Sequence, residues 1–125
     1  MNTPWGQAQT IETEAGPGLQ FVSTSSHGGY HLSRDRAQVL RETWPGFRSW
    51  TGSDEWLEED CDAAAAVLLW PELFEGVDVF NAVRSARDRD DIPADWWDSA
   101  AGRVVVDLAA KEASKTSQLW ERGSM

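Results

Sequence analysis

Two glycine-rich interruptions in the first 32 residues, Ala15-Gly16-Pro17-Gly18 and Ser26-His27-Gly28-Gly29, constrain this chain more than any other feature. Glycine accepts positive φ and proline fixes its own φ, so each interruption reads as a turn. The segments they separate, near 5–13, 19–25 and 30–32, are short and lack sustained helical periodicity. Trp5, Ala8, Ile11, Leu19, Phe21 and Val22 lie there among Gln, Thr and Glu. The pattern predicts a three-stranded antiparallel meander, with Gly28-Gly29 suited to a primed hairpin turn.

From Ser33 onward the punctuation is that of helices. Ser33 is a good N-cap for a helix from Arg34 to about Thr43, ended by Trp44-Pro45-Gly46. Val39, Leu40 and Trp44 are its expected buried face, with Arg34, Arg36 and Arg41 in water. After a loop through Phe47, Trp50 and Gly52, Ser53 reads as the cap of a second helix. Leu57, Cys61, Ala64, Ala65 and Leu68 form its apolar stripe, and Trp70 ends it because Pro71 follows. A third helix covers Val77–Ser85 with Val79, Phe80 and Val83 inward. Arg87-Asp88-Arg89-Asp90-Asp91 then reads as a solvated connection. Pro93 suits the first turn of a last helix carrying Trp97, Ala101, Val104 and Leu108 inward. A strand at 103–108 competes, since Val104-Val105-Val106 is β-branched, but the helical stripe is longer. Gly102 weakens that helix and marks a place where it can divide. The fold class expected is α+β: the meander packed with about four helices, as one domain over 1–122 with a tail at 123–125.

Charge narrows the partners. Eleven Lys and Arg face 21 Asp and Glu, a formal net charge of −10. Nucleic-acid affinity rests on Lys and Arg displacing counterions, so direct binding to nucleic acid is disfavoured. A basic surface on a protein or nucleoprotein complex is favoured, because opposite fields steer encounter. Eight tryptophans are hard to hide completely in 125 residues, so part of that indole surface is expected at the surface. Cys61 is the one cysteine, which excludes an intrachain disulfide and fits a reducing, cytoplasmic setting. No apolar run of about 18 residues exists, so no membrane helix is expected.

Six of the nine residues from Asp54 to Asp62 are acidic. On a helix, Glu55, Glu58, Glu59 and Asp62 share one face opposite the apolar stripe, forming with Trp56 an anionic ridge for a partner. The same pattern is also what the solvated face of an ordinary amphipathic helix looks like. A metal site is disfavoured, because hard cations usually take ligands from a loop with a glycine turn. His27-Gly28-Gly29, His31 and Asp60 make an alternative small-molecule or hydrolytic pocket, although polar residues and glycine also suit any exposed hairpin. Cys61 reads as structural, since neighbouring anions and burial both raise a thiol pKa. Gly-x-Ser-x-Gly, Gly-x-Gly-x-x-Gly and P-loop patterns are absent, so catalysis has no positive support and no cofactor is expected.

Three blocks resemble an uncharacterised domain family of proteobacterial plasmid and mobile-element proteins. They are Thr3-Pro4-Trp5-Gly6-x-Ala8-Gln9, Ser26-His27-Gly28-Gly29 followed by Leu32-Ser33, and Glu58-Glu59-Asp60-Cys61-Asp62-Ala63. They span about half the chain, and the C-terminal half adds no further match. The resemblance carries no activity. Joined to the net charge, it implies a small acidic inhibitor of a mobile element, acting against restriction or CRISPR complexes by imitating DNA charge.

Overall fold

The computed structural model describes residues 2–7, 10–24, 27–59 and 62–123. Asn2–Thr3 (β1) and Gly6–Gln7 (β2) form a small hairpin. Thr10–Gly16 (β3), Leu19–Ser23 (β4) and Gly28–Leu32 (β5) make the meander, all antiparallel. Pro17-Gly18 closes its first turn with Gly18 at φ 76°, the left-handed geometry of a type II turn. The second turn sits earlier than expected. Gly28 and Gly29 lie inside β5, and Thr24 closes the turn by donating its N–H to the His27 carbonyl at 2.7 Å.

The larger correction concerns residues 53–59, which are not helical. Trp56–Glu58 is a strand (β6) on the edge of the sheet, giving the order β3-β4-β5-β6. Tyr30 pairs with Leu57 and His31 with Trp56, and the ladder is extended at both ends. Leu32 donates to the Glu55 carbonyl at 2.8 Å and Glu59 to the Gly28 carbonyl at 3.0 Å. The unpaired edge of β5 thus captures the segment, while a helix would have stacked like charges one turn apart.

The helices are Arg34–Thr43 (α1), Ala63–Leu69 (α2), Gly76–Ala86 (α3) and Ala100–Gly123 (α4). Ser33 caps α1 as expected, its hydroxyl accepting the Arg36 N–H at 3.3 Å. Ala37, Leu40 and Trp44 are buried beneath α1, but Val39 is 41% exposed, outside the face expected for it. The helix form of 103–108 prevails over the strand. Its onset and phase differ from expectation, however. Pro93 precedes a single 3-10 turn at Ala94–Asp98, and Ser99 starts α4 afresh by accepting the Gly102 N–H at 3.2 Å. The inward stripe is Gly102, Val105 and Ala109, while Val104 is 51% exposed.

One face of the sheet, through Leu19, Leu32 and Leu57, joins Leu40, Trp44, Leu68, Val79 and Val105 in the core. The opposite face carries Val22, Gly29, His31, Trp56 and Glu58 in register. Trp5 folds onto this second face. A Cβ at Gly29 would overlap its ring, so the glycine is what admits the indole.

Candidate functional site

Strand alternation decides where the acidic residues go. Glu58 and Glu59 are neighbours in sequence, and the pleat directs them to opposite sides of the sheet. Glu58 is buried on the Trp5 side, its Oε1 3.8 Å from Nδ1 of His27. Trp50 lies beside that histidine with ring centroids 6.1 Å apart, and its indole is 63% exposed. On the same face Trp56 packs between His31, at 4.5 Å, and Trp5, at 5.7 Å.

The four acids expected on one helix face are therefore dispersed. Glu55 is exposed at the start of β6 and Glu59 is exposed just beyond its end. Asp62 is 1% exposed and bonded inward: Oδ2 accepts the Trp50 N–H at 2.7 Å and Oδ1 accepts from Arg89 at 3.3 Å. Although Asp62 precedes α2, its side chain makes no capping bond to that helix. Of the alternative pocket, His27 is exposed, Gly28 and Gly29 are buried, and His31 is half-buried against Trp56. Asp60 lies outside the described residues, as do Cys61 and Ser26.

Of the connection expected to be solvated, Arg87, Asp88 and Asp90 are exposed, but Arg89 is half-buried and Asp91 buried, and these two form a knot. Arg89 grips Asp91 at two points, reaches Asp62, and donates to the Arg48 carbonyl at 3.1 Å. Its guanidinium also lies over Phe47, 4.5 Å from the ring centre. The hydrogen bond from Arg89 draws the Asp91 carboxyl down to a pKa of about 2, and the same bond raises that of Arg89. This knot pins the 47–50 loop that carries Trp50 against the start of α2.

On the helix-packed side, a cleft of about 440 Å³ opens between β5, α2 and α3. Its floor is apolar, with Val67, Phe74 and Ala82. Its rim is polar: Tyr30, Glu59, Asp78, Asn81 and Ser85. Among the described residues lining it, none is basic. Asp78 is fixed by the first turn of α3, where its Oδ2 accepts the Glu75 N–H at 3.2 Å in a reciprocal capping box. The Tyr30 phenol is raised above its ordinary value, first by burial and then by the charge of Asp78. The sequence reading missed Asp78, Asn81 and Tyr30. A Glu75-x-x-Asp78 capping signal was present, but only the fold brings it opposite Glu59.

Among the described residues, no three of His, Cys, Asp and Glu come together to hold a metal ion, and no helix is long and apolar enough to cross a membrane. Neither a curated protein nor a solved structure matches the chain. A family model does match, over residues 1–123, nearly the whole sequence. The chain belongs to the family described as a domain of unknown function, DUF7007.

Proposed function

We propose that this protein is a small acidic binding protein that docks on a basic protein or nucleoprotein surface. The observation that carries the proposal is an exposed aromatic side chain on a chain of net charge −10: Trp50, 63% exposed, with its backbone N–H bonded to buried Asp62. Tryptophan is enriched among the residues that anchor protein interfaces, and a backbone already fixed lowers the ordering cost of binding. Glu55 and Glu59, exposed at either end of the edge strand, supply carboxylates that steer a basic partner. In a mobile element such a protein acts as an anti-defence inhibitor, occupying a groove that would otherwise hold DNA. The motif resemblance and the net charge support that extension.

The test is capture from native host lysate at low and high salt, with Trp50→Ala and with Glu55→Gln/Glu59→Gln. A basic partner retained at low salt, released at high salt and weakened by both variants supports the proposal. Capture indifferent to salt and to both variants contradicts it. Glu58 and Asp62 are unsuitable for this test, because both are buried.

One contact favours a second reading, a small-molecule or hydrolytic site on the Trp5 side of the sheet. An exposed imidazole, His27, beside the buried Glu58 carboxylate is an arrangement a general base can use. His27→Ala that abolishes a ligand-dependent activity at unchanged stability supports this reading, and simple loss of stability counts against it.

A further inference from the structure

We infer that the cleft between β5, α2 and α3 is a receptor for a single arginine side chain presented by the basic partner. The inference rests on the binding proposal above and adds to it the chemistry of one contact. Three properties of the cleft select this occupant. Carboxylates stand on the rim from two separate elements, Glu59 after β6 and Asp78 on α3, and no lining residue among those described carries positive charge. Between them lies apolar surface, partly aromatic where the rim residue Tyr30 meets Phe74 of the floor. Tyr30 and Phe74 meet edge to face with centroids 5.8 Å apart, and Val67 and Ala82 continue the surface.

A guanidinium suits that combination better than an ammonium. It is planar, weakly hydrated and able to lie on aromatic surface, while its forked donors reach carboxylates on more than one side. Asn81 and Ser85 offer further oxygen acceptors on α3. The Tyr30 phenol is raised first by burial and second by the charge of Asp78, in keeping with a negative field beside the cleft where a cation would be welcomed. At about 440 Å³ the cleft is large enough to receive a long side chain.

The test is a titration of the isotope-labelled protein, followed by NMR, with Nα-acetyl-arginine methylamide and with its neutral isostere, the citrulline derivative. The arginine probe is expected to shift resonances of Tyr30, Glu59, Asp78 and Asn81, and the citrulline probe to bind at least about tenfold more weakly. Glu59→Gln, on an exposed side chain, and Asp78→Asn are each expected to weaken the arginine probe by about tenfold. Equal binding of both probes, or shifts elsewhere on the surface with none in the cleft, overturns the inference. Because the probe needs no partner, this outcome is separable from failure of the docking proposal. Lysate capture that survives while the probe misses the cleft removes only the arginine receptor.

Discussion

Arg89 holds Asp91 in a two-point pair, its Nε 2.8 Å from Oδ1 and its Nη2 2.7 Å from Oδ2. The second oxygen of Asp91 also accepts the Arg48 N–H at 2.9 Å, and Arg89 reaches on to Asp62. One guanidinium thereby ties α2, the 47–50 loop and the segment after α3 together. Both carboxylates are nearly without solvent, so neither has water to replace a lost partner.

Arg89→Ala strands two buried carboxylates and is expected to destabilise the fold by about 3–5 kcal/mol, measured by urea unfolding. Arg89→Lys restores charge without the planar fork and should recover only part of that loss. A cost within the noise of a surface substitution would show that the knot is not structural.

The same pair gives acid sensitivity a sign. The Asp91 carboxyl lies at about 2 in the folded state, below the unfolded value of about 3.9. Its contribution is complete above the unfolded value and disappears as pH falls through 2, a loss of about 3 kcal/mol. Stability curves between pH 5 and pH 2 are expected to be correspondingly flatter for Asp91→Asn than for the native chain, from a lower starting stability.

At Gly102, helix propensity and packing predict opposite signs. In an exposed helix, Gly→Ala gains about 1 kcal/mol. Here an added Cβ would overlap the Trp96 carbonyl and come within 2.7 Å of the Trp97 Cα. These are backbone atoms that cannot rotate away. Gly102→Ala is expected to cost at least about 1 kcal/mol in chemical denaturation. A stabilising outcome would mean that the 94–98 turn does not pack against α4 as described.

Tyr30 is the chain's one tyrosine, so its phenolate absorbance titrates a single known site. Its midpoint is expected above the ordinary value of about 10, because burial first and Asp78 second disfavour the charged form. Asp78→Asn should lower the midpoint without bringing it fully to 10, since burial is the larger cause. An unmoved midpoint would separate Asp78 from the cleft.

What the sequence by itself determined lies where physics is local. Gly18 takes the positive φ that its turn demands, Ser33 caps the helix it precedes, and Pro71 ends the helix before it. Each outcome depends on residues within a few positions of one another. Only the tertiary structure decided the fate of Asp54–Glu59. A short segment with apolar residues at 57, 64, 65 and 68 satisfies a helical period, yet Trp56-Leu57-Glu58 equally satisfies a strand once an open sheet edge is available. That edge belongs to β5, some 25 residues earlier in the chain. Burial of Asp62 likewise needed Arg89, 27 positions away. The cleft needed Glu59 and Asp78 brought onto facing elements. Pairing across such separations leaves no periodic trace in the sequence, because its free energy arises only when the elements have already met.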